Sequence, residues 1–410
     1  MMAKVLVLST HDLHYGGHGW SIAEDLKKEG HEVCFVCGYK TNKDTKLFFY
    51  DTTKRNSIAY WFWKFLPYLT CLMTGKRPDV HSFVSTHLFG VPARKILKKC
   101  SFVPDFIVLP WTANFLKEKT IYDLQIISGA ELVFSFTDEA YLASCHYVAD
   151  CKRWKTGCYH CPALRYNKWL ASRVMRLKSK YWTNLKARII CSPYDADLIK
   201  ESTFLKNKRV IPILSVPQIP YFYSKDDARE FFGIDKDDFV LFVGANSFKG
   251  RRKGMSIFAS AMSIVADYIE KGIVKSSKRV TLLAVGNGAD AVVFDPRINI
   301  IRKGFLPSEH FFKAYFACDV HLSPSLADSG PMMVNYAFAC RRPVIAFPIG
   351  YAATLVKNGE TGFLAKYGSI DDLADCILKI YSLDSSVLDE MGDRCYDYLN
   401  TFKSNNSFIQ

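Results

Sequence analysis

The sequence has no long apolar run. Its most apolar stretch, "YWFWKFLPYLTCLM" over residues 60–73, is broken by Lys64 and Pro67, whereas a membrane-spanning helix needs about 20 apolar residues. A transmembrane segment is excluded there, which leaves two alternatives. The stretch is interfacial, with Trp and Tyr at headgroup level, or it packs inside the first domain. A secretory leader is also not expected. "MMAKVLVLST" has one Lys and only four consecutive apolar residues before polar ones, so it reads as a first strand. The 13 cysteines are then expected in a reducing compartment, with paired disulfides not their default use. The expected location is the cytoplasm, with the inner face of the plasma membrane as a peripheral alternative. No short-period repeat and no low-complexity tract is present.

Acidic residues are missing from one long segment. Residues 151–194 contain no Asp or Glu but eleven Lys and Arg. The imbalance extends through the first half: residues 1–210 hold 32 basic against 18 acidic residues, and 211–410 hold 22 of each. The whole net charge of +14 therefore belongs to the first half. Such asymmetry points to an anionic partner (nucleic acid, a membrane or a phosphorylated substrate) or to a merely solvated basic face. Within the acid-free segment, Leu170, Val174, Leu177, Tyr181 and Leu185 follow helical spacing. That apolar stripe is expected to pack inside the domain, leaving the charge exposed.

Core material is ample, at 49% hydrophobic and 14% aromatic residues, and 410 residues suit two domains better than one core. "KVLVLST", "GGHGWSIAEDLKKEG" and "HEVCFVC" read as strand, helix and strand, with Gly30 placed to stop the helix. The second half repeats the alternation through "FVLFVGA", a helix around Met255–Glu270, "RVTLLAVG" and a helix around Glu309–Ala317. Alternation predicts parallel sheets covered by helices on both faces, an α/β class with two Rossmann-like domains. The proline-bearing stretch "RVIPILSVPQIPYFYSKDD" is the expected linker. The expected divisions are 1–210, 211–385 and a C-terminal helix over 386–410 that packs back on the first domain.

The segment "SPSLADSGPMMVNYAFACRRPVIA" follows the strand "DVHLSPS" and leads into "PVIAF". In open parallel sheets ligands bind beyond the carboxyl ends of strands, where helix N-termini present free N–H groups suited to phosphate. Pro331 fits the first helical turn, where no donor is lost. By itself the turn is equally compatible with an ordinary capped helix.

The string "PSLADSGPMMVNYAFACRRPVIAFPIG" resembles the donor-nucleotide segment of retaining family 4 glycosyltransferases of the GT-B fold. The similarity takes in "KNGETGFLA", "GFLPSEHFFKAYFACDVHLSPS", "VGANSFKGRRKG" and "GGHGWSIAEDLKKEGHEV", and is weakest over residues 40–130. The resemblance implies two Rossmann-like domains facing across a cleft. The first would be the acceptor side, and the second would bind a nucleotide sugar, a UDP- or GDP-sugar.

It also implies roles residue by residue. Asp328 stands at the family's first acid, near the transferred sugar, with Ser329, Gly330, Pro331 and Met332 at the helix start. Tyr336 replaces the acid that grips the ribose, which makes Asn335 the expected substitute contact. Lys253 matches the lysine that neutralises the donor diphosphate. The partner arginine is replaced around Ala245 and Asn246, and Arg252 compensates. Gly16 and Gly17 allow close backbone approach to sugar-phosphate or acceptor. The neighbouring His11, His14 and His18 are not expected to bind metal. After the inner strand "ELVFSFTDEA" the family's histidine is absent, leaving Asp138 as an acceptor-side base, a positioning group or a turn residue.

Cys145, Cys151, Cys158 and Cys161 lie within seventeen residues and end in C-x-x-C, a spacing suited to structural zinc. A similar Cys-rich insertion occurs in a subset of the family, which favours zinc over four free thiols. A redox pair, or His146 or His160 as a ligand, remain alternatives. The other nine cysteines read as core residues.

The reading is thus a retaining, metal-independent glycosyltransferase. Its acceptor is expected to be a glycan, lipid-linked at an anionic membrane, in bacterial surface-polysaccharide assembly. Two alternatives accompany it. One is a zinc-stabilised basic nucleic-acid-binding protein, against which stand the lack of a recognition helix and a neutral second half. The other is a non-catalytic GT-B scaffold.

Overall fold

The computed structural model describes all residues except 1, 13–17, 55–56, 59–60, 62–64, 66–67, 70, 74, 76–89, 147–150, 163, 275, 277, 329, 331 and 403–410. The side chain of His18 also falls outside the described set. The chain divides into two compact units, parting between Pro212 and Ile213.

In the first unit, seven strands form one sheet: β1 (Lys4–His11), β2 (Glu32–Lys40), β3 (Phe48–Asp51), β4 (Phe106–Leu109), β5 (Glu131–Ser135), β6 (Ala187–Cys191) and β7 (Arg209–Pro212). Their order is β3-β2-β1-β4-β5-β6-β7, and every adjacent pair is parallel. The helices between them are α1 (His18–Lys28), α2 (Ala93–Leu97), α3 (Glu118–Ser128), α4 (Trp169–Trp182) and α5 (Pro193–Lys200). After Lys4, β1 is buried at every position, which is how a strand reads when helices cover both faces of its sheet. Its run "VLVL" supplies side chains to each face in turn. Gly30, at φ +87°, follows α1 and ends it without the strain a side chain would bring.

Helix α4 buries Leu170 and Val174, while Leu177 and Tyr181 are half-buried. The apolar stripe of this basic helix is thus core, as expected. Lys178 of α4 is wholly buried, donating to the carbonyl oxygens of Ala140 and Ala143. Burial pushes its ammonium down to about 8.

In the second unit, six strands form an all-parallel sheet: β8 (Phe239–Ser247), β9 (Val280–Asn287), β10 (Asn299–Lys303), β11 (Val320–Ser323), β12 (Val344–Ala346) and β13 (Gly362–Leu364). Their order is β10-β9-β8-β11-β12-β13. The helices are α6 (Lys225–Phe232), α7 (Met255–Glu270), α8 (Ser308–Ala317), α9 (Met332–Ala339), α10 (Gly350–Leu355), α11 (Ile370–Tyr381) and α12 (Ser385–Asn400). Serines start two of them: Ser224 accepts from the Asp227 N–H and Ser369 from the Asp372 N–H, each satisfying a donor the helix cannot. Helix α12 was expected to pack back on the first domain. Instead Leu388, Met391, Cys395 and Leu399 bury its apolar face in the cores of the second unit.

Strand order reverses direction between β1 and β4 in the first sheet and between β8 and β11 in the second. Connections there leave to opposite faces, so a crevice opens at the carboxyl ends of the two strands. The two halves of the sequence place their polar turns at these points.

Candidate active site

The switch point of the second unit is built by two loops. One leaves β8 and ends in the 3₁₀ turn Arg251–Lys253; the other leaves β11 and runs through Ser325 to Asp328. The Leu326 N–H donates to the Arg252 carbonyl at 2.8 Å. Gly254, at φ +65°, sits where a Cβ would lie 1.8 Å from the Pro324 carbonyl oxygen. Only glycine permits so close an approach of two backbones. The result sets two cations on one carboxylate: Lys253 Nζ donates to Asp328 Oδ2 at 2.6 Å and Arg252 Nη1 to the same oxygen at 3.0 Å. Arg252 also donates to the Ala327 carbonyl at 3.0 Å. Burial would raise the Asp328 carboxyl, but Lys253 and Arg252 outweigh it and hold the group below the usual carboxylate range. One carboxylate between two cations leaves a net positive charge in a sheltered place, suited to an anion.

Around this cluster lie the other expected contacts. Gly330 faces Tyr351, whose ring would meet an added Cβ at 2.8 Å. Met332 opens α9 and is half-buried, and Asn246 is exposed at the end of β8. Ser329 and Pro331 lie outside the described residues. Asn335 requires a correction. It is 0% exposed, and its Nδ2 donates to the Ser215 carbonyl, so it anchors the segment leading into β8 and does not line the crevice. Its neighbour Tyr336 is half-buried and packs on α8, edge-on to Phe312 at 5.3 Å.

At the corresponding edge of the first unit, side chains from neighbouring strands form a row. Tyr39 of β2 lies 5.8 Å from His11 of β1, and His11 lies 5.3 Å from Trp111 just past β4. Trp111 meets His146 edge-on at 6.1 Å. His146 Nδ1 is 2.6 Å from Asp138 Oδ2, past β5, with both residues buried. The other oxygen of Asp138 accepts from the Ala140 N–H at 2.8 Å. Both oxygens are therefore engaged, and Asp138 positions a turn and an imidazole; it does not face outward as a base. A histidine does reach this strand end, supplied by residue 146 beyond the strand itself. Sequence reasoning missed it because eight residues of irregular chain separate the partners. Its one signal was an acid at a strand end followed by a histidine in the same loop. Burial outweighs the attraction of Asp12 and pushes the His11 imidazole down to about 4, so it is neutral at pH 7. Gly16, Gly17 and His14 lie outside the described residues.

Cys145, Cys158 and Cys161 are buried and Cys151 is half-buried. All three others lie near enough to raise the Cys145 thiol further, beyond what burial does. Yet among the described residues no group of three or more His, Cys, Asp or Glu side chains is arranged to hold a metal ion. The zinc expectation therefore has no support in the geometry of the described residues.

Comparison with known proteins bears on the second unit first. Residues 237–382 match the family "Glycosyl transferases group 1", a segment that contains Lys253 and Asp328. The D-inositol 3-phosphate glycosyltransferase of Rhodococcus erythropolis is 27% identical over 165 residues, covering 37% of this chain and 36% of that protein. Among solved structures, the sucrose-phosphate synthase of Thermosynechococcus elongatus aligns with a TM-score of 0.63 at 15% identity, over 98% of this chain and 94% of that one. The Anabaena protein HepE, solved with UDP and glucose, aligns with a TM-score of 0.55 at 15% identity, over 99% and 96%. These likenesses show the fold: two parallel, Rossmann-like sheets in the manner of GT-B glycosyltransferases. The chain spans about half or less of the curated relatives it matches.

Asp328→Asn should cost about 1–3 kcal/mol at neutral pH, the usual penalty for stranding a charged partner. A carboxyl held below its ordinary value stabilises the fold above that value and loses the contribution as pH falls through the folded one. Stability followed by fluorescence should therefore fall more steeply in the parent as pH drops below the ordinary carboxylate value, and the variant should lose that component. His11 has the same sign. Its folded value near 4 lies below the ordinary 6.5, so stability should fall as pH drops from 6.5 towards 4. The fall should be smaller in His11→Phe, checked by melting temperature against pH.

Proposed function

We propose that the protein is a glycosyltransferase that moves a sugar from a UDP- or GDP-sugar to a glycan acceptor. The observation that carries this reading is the Arg252–Lys253–Asp328 cluster at the switch point of a parallel sheet, within the segment that matches the glycosyl transferase family. The HepE structure, with UDP and glucose bound, supports a nucleotide-sugar donor by fold. In the reaction the bond between the anomeric carbon and the donor phosphate oxygen breaks, and a bond to the acceptor hydroxyl oxygen forms. The hydroxyl proton passes to the departing phosphate, so no metal and no protein base is required. The products are the glycosylated acceptor and a nucleoside diphosphate.

Lys253, moving from Asp328 to the diphosphate, stabilises the charge that grows there; such preorganised stabilisation is usually the largest catalytic contribution. Asp328, released, accepts hydrogen bonds from hydroxyls of the transferred sugar. Configuration at the anomeric carbon is retained. The acceptor binds at the carboxyl edge of the first sheet, where Gly16 and Gly17 precede α1 and Asp138 orients His146. The reading extends to a lipid-linked glycan acceptor, which the basic first half supports, and to surface-polysaccharide assembly on the cytoplasmic side of a membrane.

Melting temperature against UDP-, GDP-, CMP- and dTDP-sugars tests the reading. A ligand at a hundred times its Kd adds about 2.7 kcal/mol, or roughly 5–10 °C for a unit of this size. A shift with one nucleotide is expected, abolished by Lys253→Ala. The same variant should lower turnover at least about a hundredfold. No shift with any sugar nucleotide would identify a non-catalytic scaffold and assign the cause to Tyr336.

A further inference from the structure

Cys34 and Cys100 bring two thiols together at the amino edge of the first sheet. Cys34 is the third residue of β2. It is 7% exposed, and its side chain shares a core with Val36, Val91 and Ile96. After α2 the chain turns back towards β4: the Lys99 N–H donates to the Ile96 carbonyl and the Cys100 N–H to the Leu97 carbonyl. This turn packs Leu97, Cys100 and Phe102 over the same core and leaves Cys100 half-buried. Both residues are free thiols, and their side chains are hydrogen-bonded to each other.

The surroundings of the Cys100 sulfur favour its thiolate. The Cys34 S–H donates to it, and the backbone N–H groups of Phe102 and Ser101 donate as well. Together they outweigh burial and the nearby Glu32 carboxylate, and bring the Cys100 thiol down to about 7. The same contact, with burial, pushes the Cys34 thiol up, so its proton stays in place. Burial alone acts the other way elsewhere: it pushes the Cys318 and Cys340 thiols up to about 12 and Cys376 up to about 11. A partly accessible thiolate beside a protonated thiol is the arrangement in which one sulfur attacks an oxidant and the other resolves the product.

We infer that Cys100 and Cys34 form an oxidation site, in which Cys100 attacks a hydroperoxide and Cys34 resolves the product as a disulfide. The Cys100 thiolate bonds to one peroxide oxygen as the O–O bond breaks. The other oxygen leaves with the electron pair and takes up a proton, giving water or an alcohol. Cys100 is then a sulfenic acid. The Cys34 sulfur attacks it, the S–S bond forms and the S–O bond breaks, and the hydroxide leaves with the Cys34 proton as water. Two thiols give up two electrons, and the hydroperoxide accepts them. A dithiol reverses the step by exchange. The disulfide fastens β2 to the turn after α2, at the edge opposite the row from Tyr39 to His146. None of this chemistry uses a nucleotide sugar, so it stands or falls apart from glycosyl transfer.

Hydrogen peroxide added to the reduced, desalted full chain tests the site. Thiols that survive are labelled with N-ethylmaleimide after denaturation and located by peptide mass spectrometry. Labelling should be lost at Cys34 and Cys100 before any other cysteine, with the two peptides linked, and dithiothreitol should restore it. Cys34→Ala should hold Cys100 as a sulfenic acid, captured by dimedone, and Cys100→Ser should leave Cys34 reduced. In the untreated parent, iodoacetamide labelling of Cys100 should reach half its maximal rate near pH 7. Loss of the Cys34 donor should raise that midpoint by about one pH unit or more. The linked peptide and the parent's pH profile need no variant to fold. Survival of both thiols in excess peroxide, a first disulfide elsewhere, or dimedone capture at Cys34 would overturn the inference. So would a labelling midpoint at the ordinary thiol value, about 8.5.

Discussion

The second unit depends on the close approach of two loops at the point where its sheet reverses direction. Gly254 lies so near the Pro324 carbonyl that no side chain fits between them, and the Arg252 carbonyl takes the Leu326 N–H. This backbone contact holds Lys253 and Arg252 on Asp328 with little freedom. A lysine and an aspartate 75 residues apart in sequence become one electrostatic object. In the proposed reaction, donor binding exchanges partners: the cations pass from a carboxylate to an incoming phosphate, and the carboxylate is left for hydroxyls. The charge count changes little, which keeps the exchange from stranding any buried ion.

The first unit solves a related problem with neutral groups. Its carboxyl edge carries a row of rings from Tyr39 to His146, with His11 held neutral by burial. Asp138, at its end, has both oxygens engaged within the loop. The buried ammonium of Lys178 ties the same loop to α4 through two carbonyls, so this turn is held from both sides. An edge of this kind offers ring faces and directed hydrogen bonds. The unit's exposed positive charge includes Lys152, Arg153, Arg165 and Lys168.

The fold was legible because strand and helix periods differ and both halves alternate between them. "KVLVLST" and "FVLFVGA" have the continuous apolar character of strands covered on two faces, and their polar termini mark the carboxyl edge. Lys253 and Asp328 could be named from motif context. The sequence misdirected where side-chain direction mattered. Asn335 and Tyr336 are adjacent, and only the rotation of α9 against the rest of the unit decides that Asn335 points to Ser215 and Tyr336 to Phe312. Cysteine spacing likewise permitted a tetrahedral site, but a metal needs sulfur positions, and those follow from how the loop is buried.

The sequence by itself determined what periodicity and composition can encode: two parallel α/β units, a basic first half, and the turns at their strand ends. Tertiary structure alone decided which residues share a place. It joined Asp138 to His146, set Lys253 on Asp328 and buried the stripe of α4. Spacing defines a face, but whether that face meets a core or water depends on what the rest of the chain places beside it.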